Sequence, residues 1–337
     1  MAIKDPGLIS DTCIFHEATA GDGGNHTNPT FWLSPDATIV GAPMGNVLGG
    51  TTNTVNVIPR RKTGGCDLPP GTTINPDGSA VVLVELYVCK PLMVIDPTQT
   101  SQATLLGTKS ADLLSGASST VPFTFVTTNN TADPQGPGHK CLIARSYPDA
   151  LTPDQTDLRR LPEDQHYAQR NICIQICGGP GAANVPGPCQ FEVSTANPDT
   201  NRPEDAIFVL EADTDPSQAV RSVLLPLLRQ VPAFKRLAGS PPRTFDLHLP
   251  DFPGAGGRLD RGHEGCLGLL FGGKLFGGKS KPTYKVDVQL KPKQLTFFNI
   301  RVDLSGSSFG DAHIFHLTQA RPGGEVQGGV TVVFVVG

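Results

Sequence analysis

The segment GKLFGGKS, residues 273–280, matches the phosphate-binding pattern G-x-x-x-x-G-K-[S/T] at every position. In a P-loop, glycines let backbone N–H groups close around the phosphates, the lysine reaches the terminal phosphates and the hydroxyl binds Mg²⁺. That chemistry requires a helix directly after the loop, yet Pro282 and the alternating segment 284–290 follow. We therefore interpret 273–280 as a glycine-rich loop and expect it to bind no nucleotide.

A second catalytic pattern is GSSFG, residues 306–310, which matches the nucleophile elbow G-x-S-x-G and is followed by Asp311 and His313. An elbow needs a strand-to-helix turn, with its acid and base on distant loops. Here a strand pattern follows the serines, and Asp311 and His313 lie too near in sequence to fold back as a triad. The sequence predicts a β-turn at this position and a protein that is not an enzyme.

Two short pairs have the residue types of a structural zinc site. They are Cys13-x-x-His16 and His263-x-x-Cys266. Each pair alone is a weak signal, because residues i and i+3 of a strand face opposite ways. We expect no cofactor and no metal, with these four residues as the alternative zinc ligands.

Calcium is the other metal that the sequence raises, because carboxylates in exposed sandwich loops often bind it. The candidate ligands are Glu204, Asp205, Asp213 and Asp215. Their spacing matches no known calcium loop, so a solvated acidic turn is the favoured interpretation.

The composition favours strands over helices. Together, 38 glycines and 31 prolines form about a fifth of the 337 residues, and charged residues form only 17%, which is typical of many short elements joined by turns. The net charge of −4 provides no basic surplus, so we expect no nucleic-acid partner.

The N-terminal segment MAIKDPGLISDT lacks the basic-then-apolar pattern of a secretory signal, and no apolar run approaches the length of a membrane span. We expect neither feature in this sequence. The eight cysteines are too few for a disulfide scaffold, and several lie in apolar strand-like runs, where buried free thiols are expected. Cys66 and Cys89 flank a loop and are the pair that could form a disulfide in an oxidising environment.

Two sets of short strand patterns divide the chain. The first set, from DATIV to NICIQIC, lies within residues 31–178, and the second, from FEVSTA to VTVVFVV, lies within 191–337. Turn formers separate the strands, which is typical of β-sandwiches, with barrels as the alternative. The sequence predicts an N-terminal arm at 1–30, a linker at 179–190 and an all-β protein of two β-sandwich domains.

One helical segment interrupts the second set, near residues 216–237. Asp215 is the predicted N-cap and Pro216 the first helical residue, while Pro226 and Pro232 are expected to kink or break the helix. Its apolar residues share one face, which either packs on its own domain or binds a partner.

The first set of strands resembles bacterial proteins with immunoglobulin-like modules. The shared motifs are W-x-S-P-D at Trp32, N-x-V-x-V at Asn53, G-H-x-C-L-x-A-R at Gly138 and A-x-R-N at Ala168. The resemblance covers roughly residues 31–178, and the strands from 313 to 336 look like the last hairpin of a similar module. It implies immunoglobulin-like sandwiches that adhere, space or assemble, in an extracellular or cell-surface location.

The function that these observations favour is structural. We predict a subunit of a homomeric surface assembly (a filament, tube or shell), with an adhesion module that binds carbohydrate or protein through sandwich-end loops as the alternative. A strand in the N-terminal arm could pair with a neighbouring subunit, and the helix offers a second surface. The candidate interface residues are Leu8, Ile9, Ile14, Phe15, Leu224, Leu228 and Phe234.

Overall fold

A computed structural model describes residues 11–26, 30–41, 47, 50–89, 103–126, 140–152, 164–178, 188–197, 201–250, 252, 257–260, 281–292 and 295–337. The interpretations of 273–280, His263, Cys266, Leu8 and Ile9 therefore lie outside the described residues. Within the described ranges the chain is mostly β-strand with one helix, which confirms the predicted β-rich character. It forms two compact units, the first ending at Asn171 and the second beginning at Ile172.

The first unit contains nine strands in the described part of the chain. These are β1 (Ile14–Phe15), β2 (Ala37–Val40), β3 (Thr52–Val57), β4 (Arg60–Arg61), β5 (Ala80–Cys89), β6 (Ala103–Leu113), β7 (Val121–Val126), β8 (Cys141–Pro148) and β9 (Tyr167–Arg170). Sheets of order β2-β3-β7 and β6-β5-β8-β9 contribute side chains to one core, to which β5 gives Val82, Val84, Leu86 and Val88. This spacing of two is the strand period that the sequence predicted.

The second unit contains the helix and the remaining strands. They are β10 (Ile172–Cys177), β11 (Pro188–Ala196), β12 (Glu204–Asp213), α1 (Gln218–Leu228), β13 (Arg236–Leu237), β14 (Thr244–His248), β15 (Arg258–Asp260), β16 (Thr283–Leu290), β17 (Leu295–Asp303), β18 (Asp311–Ala320) and β19 (Val326–Val336). One sheet has the order β10-β19-β18-β12-β16-β15, with β13 also paired to β18, and the other has the order β11-β17-β14. Both sheets contribute to one core, as Phe298 of β17 and Phe208 of β12 illustrate.

The unit boundary differs from the predicted one at a single strand. We placed β10 in the first domain, but it pairs in parallel with β19, with Cys173 opposite Val332. The predicted linker also ends earlier than expected, because β11 begins at Pro188. Local sequence could not reveal this, since β10 is as apolar as the strands of the first unit and only its distant partner decides its sheet.

The N-terminal segment is part of the first unit rather than a free arm in its described residues. Ile14 and Phe15 pair with Arg61 and Arg60 of β4, and Cys13 forms a disulfide with Cys66. Cys66 therefore does not bond to Cys89, which is a buried free thiol. Exchange of this strand with a neighbouring subunit, which the sequence suggested as one route to assembly, would have to break these contacts.

The helix begins and ends inside the predicted bounds. Ser217, not Asp215, is the N-cap, and its side chain accepts a hydrogen bond from the Val220 N–H. Pro226 lies within the last turn of α1, where its missing N–H removes one helical hydrogen bond. The apolar face is buried, at Val220, Val223, Leu224, Leu227 and Leu228.

A second disulfide joins the two sheets of the second unit. Cys177 lies on β10 and Cys189 on β11, and these strands are at the edges of different sheets. Cys173, four residues earlier on β10, is a buried free thiol. The disulfide closes a loop of 12 residues and restricts the unfolded chain.

We expect the double variant Cys177→Ala/Cys189→Ala to lower the free energy of unfolding by about 3 kcal/mol, the loop-closure value for a ring of this size. Urea unfolding followed by circular dichroism measures this loss. Cys173→Ala is the matched control, because it removes a buried sulfur from the same strand without opening a loop. Equal losses in the two variants would contradict a stabilising disulfide.

A buried histidine holds the start of the described chain. His166 Nε2 lies 2.9 Å from Asp11 Oδ2 and its Nδ1 lies 2.5 Å from Asp164 Oδ1. Asp11 also accepts hydrogen bonds from the N–H groups of Cys13 and Ile14. Burial lowers the pKa of His166, but the hydrogen bonds to the two carboxylates outweigh it and raise the pKa above 6.5.

This histidine makes the stability of the first unit depend on pH. A raised folded pKa adds stability that is fully present below about pH 6.5 and is lost as pH rises through the folded pKa. We expect the free energy of unfolding, followed by the fluorescence of the single tryptophan Trp32, to fall across this window. His166→Gln should flatten the curve there. A wild-type stability that rises with pH, or an unchanged slope in the variant, would contradict this account.

Candidate functional site

A polar pocket lies in the second unit, between the segment 236–243 and the turn that joins β17 to β18. Its volume is about 570 Å³, within the range of small-ligand sites. The lining residues are Arg236, Leu237, Ala238, Gly239, Ser240, Pro241, Pro242, Arg243, Ser305, Gly306, Ser307, Asp311 and His313.

The turn that forms one wall is fixed by its own hydrogen bonds. Asp303 Oδ1 accepts a bond from the Ser305 N–H, and the Ser307 N–H donates to the Leu304 carbonyl. Gly310 closes the turn with φ +88°, and a Cβ there would lie 2.8 Å from the Ala233 carbonyl oxygen. Only glycine meets both conditions, because it tolerates positive φ and has no Cβ.

The opposite wall is formed by β13 and the residues after it, and β13 pairs in parallel with the start of β18. The N–H groups of Lys235 and Arg236 both donate to the Gly310 carbonyl, and the Ala238 N–H donates to the Ala312 carbonyl. Pro241 and Pro242 then stiffen the chain along the pocket, because their φ angles are fixed. Both walls therefore depend on β18.

An ion pair orients one arginine in the pocket. Arg236 Nε donates to Asp311 Oδ1 at 2.7 Å, while the Ser308 N–H donates to Asp311 Oδ2 at 2.9 Å. Burial raises the pKa of Asp311, but these two hydrogen bonds outweigh it and lower the pKa below its usual value. Asp311 thus stays ionised, and Arg236 remains 68% exposed along its side chain.

Ser307 and His313 share a hydrogen bond inside the pocket, with 2.9 Å between Oγ and Nε2. Burial lowers the pKa of His313, so the ring is neutral at pH 7 and carries one N–H. The pair can donate and accept hydrogen bonds toward a ligand. The nucleophile pattern pointed to Ser308 as the central serine, but Ser307 contacts the histidine, and Asp311 bonds to Arg236 and Ser308 instead of completing a triad.

The cysteine and histidine proposed as zinc ligands have other partners. Cys13 is oxidised in its disulfide with Cys66. His16 is fully buried, with Nε2 2.8 Å from the Ser146 hydroxyl and Nδ1 3.1 Å from the Ile58 carbonyl. Among the described residues, no three metal-binding side chains lie close enough together to hold an ion.

The carboxylates proposed as calcium ligands do not converge. Asp213 lies 2.7 Å from Lys281 Nζ and 3.1 Å from His316 Nε2 in a buried cluster. The other three bond elsewhere: Glu204 to Arg321, Asp205 to Gln289 and Asp215 to Arg221. Each is used by a separate contact of the second unit.

The candidate interface residues within the described ranges are largely internal. Ile14, Leu224 and Leu228 are buried, each with 0% exposure, and Phe15 and Phe234 are half-buried. A partner could reach only the last two without opening the fold. The exposed large apolar residues are others, among them Val40 and Val126 of the first unit.

The strand motifs of the first unit are also used in packing. Arg145 donates to Glu85 Oε2 through Nη2 at 2.6 Å and through Nε at 2.9 Å, and both side chains are buried. The guanidinium carbon lies 5.5–5.9 Å from three tyrosine ring centroids, those of Tyr87, Tyr147 and Tyr167. Such cation–π contacts compensate a buried cation, so this cluster is structural.

Sequence comparison identifies no relative of the chain. No family model matches it, and no curated protein matches it significantly. Within the described residues, no helix has the length and apolar character needed to cross a membrane.

Solved structures show only remote likeness. The chain is similar to a β-glucosidase from Listeria innocua (15% identity, 41% of this chain, 16% of that chain, TM-score 0.22). It is similar to the CupB6 tip adhesin from Pseudomonas aeruginosa (9% identity, 90% and 99% of the two chains, TM-score 0.18). A collagen adhesin from S. aureus gives 9% identity, 89% and 92% coverage and TM-score 0.21. The chain spans about a sixth of the glucosidase.

Proposed function

We propose that this protein is a non-enzymatic, surface-acting β-sandwich protein that functions outside the cytoplasm by binding a partner, as an adhesion module does. The observation that carries the proposal is the open polar pocket of the second unit. It is formed by turns at one end of strands, where binding proteins of this architecture place their recognition loops. Two exposed arginines, Arg236 and Arg243, supply the charge needed to orient a ligand.

Two sets of buried charged side chains, one in each unit, are paired internally, which fits a binding function. Glu85 and Arg145 form an ion pair in the first unit, and Lys281 pairs with Glu211 and Asp213 in the second. The fold itself accounts for these charged groups, so the proposal assigns them no part in a reaction.

The disulfides support a location outside the cytoplasm. Cys13–Cys66 and Cys177–Cys189 are both bonds of the kind that persist in oxidising compartments and are rare in reducing ones. The resemblance to bacterial immunoglobulin-like modules implies the same location and remains part of the proposal, as does the immunoglobulin-like form of each sandwich.

Homomeric assembly is the second candidate function, and an exposed apolar pair favours it. Val40 and Val126 are 50% and 63% exposed. They lie on the outer strands of the β2-β3-β7 sheet, on either side of Thr52 and Thr54. Exposed edge strands are sites where a second chain can pair.

Blocking the pocket tests the binding function. The immobilised oxidised chain is offered casein, gelatin, dextran and chondroitin sulfate in turn, and retention is measured by biolayer interferometry. We expect at least one of them to be retained, and Ser240→Trp to weaken that retention at least tenfold by filling the pocket. Ser222→Trp, on the exposed side of α1, should leave it unchanged.

Two outcomes would contradict the binding function. One is equal retention by both tryptophan variants. The other is that none of the four macromolecules is retained, while sedimentation velocity shows an oligomer of the wild-type chain and a monomer of the double variant Val40→Ser/Val126→Ser. The second result would establish assembly as the function instead.

A further inference from the structure

The pocket of the second unit has the charge, the donors and the open backbone edge that an acidic peptide needs. We propose that it binds an extended, acidic segment of a protein partner, with a carboxylate of that segment held by Arg236 and Arg243. This inference rests on the proposed binding function and specifies the class of partner.

The charge of the pocket favours an anion. Arg236 uses Nε for Asp311, and within the described part of the chain no other hydrogen bond engages its guanidinium group. Its two Nη atoms therefore remain for a ligand, in a geometry that matches a carboxylate. Asp311 acts as a positioning residue, because it fixes the guanidinium plane, and Arg243, at the other end of the same wall, adds a second exposed cation.

Neutral hydrogen-bonding groups flank the two arginines. The Ser307 hydroxyl and the His313 ring share one hydrogen bond, which leaves each with further capacity for a peptide group or a carboxylate oxygen. Ser240 and Ser305 line the same space. A ligand with alternating carboxylate and amide groups can use all of them.

The backbone of β13 adds a strand edge. The N–H groups of Arg236 and Ala238 donate toward β18, so the N–H and carbonyl of Leu237, between them, face away from that strand. Leu237 also lines the pocket. No described residue pairs with this edge, so an extended peptide can do so, as in other cases of strand addition.

A peptide fits better than a saccharide. No tryptophan, tyrosine or phenylalanine lines the pocket, and the only tryptophan, Trp32, is fully buried in the first unit. Sugar rings are held largely by stacking on exposed aromatic side chains, which this pocket lacks. The arginine pair instead matches the planar carboxylate of aspartate or glutamate.

Binding of labelled peptides to the full, oxidised chain tests the inference. The probe is a fluorescein-labelled, capped hexapeptide of sequence GDEDEG, and its control is the uncharged GNQNQG. We expect fluorescence anisotropy to show binding of the acidic peptide only. Arg243→Gln should weaken it about tenfold, as the loss of one charge-assisted contact does, whereas Arg229→Gln, an exposed arginine of the same unit outside the pocket, should not.

The outcomes separate the class of partner from the site itself. Equal binding of GNQNQG and GDEDEG would overturn the acidic-peptide assignment. So would weak binding of GDEDEG that glucuronate displaces and that Arg243→Gln leaves unchanged. If Ser240→Trp still abolished such binding, the proposed function would stand with a different ligand. Failure of both peptides, of glucuronate and of every macromolecule to bind at the pocket would overturn the inference and the proposed function together.

Discussion

The short parallel contact between β13 and the start of β18 is the interaction on which the candidate site depends. Two backbone donors converge on the Gly310 carbonyl, and Asp311, the next residue, holds Arg236. One peptide turn therefore fixes both walls of the pocket and the direction of its main cation. The contact itself is supported from behind, because β18 also pairs with β12 and β19 in the same sheet.

Two buried clusters, one in each unit, show a second constraint, namely that a buried charge is stabilised by a compensating partner. Glu85 and Arg145 lie on neighbouring strands of the first unit, directly opposite in register, and three tyrosine rings surround the cation. In the second unit, Lys281 lies between Glu211 and Asp213. Removal of one partner from such a pair lowers the free energy of unfolding by about 3–5 kcal/mol. The fold therefore needs these residues, independently of what the protein binds. The pocket differs, because its arginines are exposed.

Sequence reasoning found the elements whose pattern is local. Alternation with a period of two located β16. The run after Asp215 located the helix, although its N-cap is two residues later, at Ser217. Features that depend on distant partners were missed. Cys66 bonds to Cys13 instead of Cys89, and β10 joins the second unit, since no local signal encodes which chain segment folds against which.

The candidate site shows the same limit. The turn at 306–310 was predicted from its residues in preference to a nucleophile elbow, but the hydrogen bond between Ser307 and His313 was not foreseen. Arg236 lies 75 residues from Asp311 in sequence, and nothing in its surroundings marks it as a ligand-binding residue. The parallel pairing of β13 with β18 brings the two side chains together. Their ion pair then sets the position of the main cation in the pocket.

The central claim is that Asp311 orients Arg236 so that its outer guanidinium atoms are left for an anionic ligand. NMR of the arginine Nε–H groups in the full, oxidised chain tests this most directly, with Arg236→Gln used to assign the signal. The account predicts that the Arg236 Nε–H exchanges slowly with water, loses this protection in Asp311→Asn, and shifts when the acidic hexapeptide is added. Fast exchange equal to that of exposed Arg229, together with no shift on addition of the peptide, would contradict it.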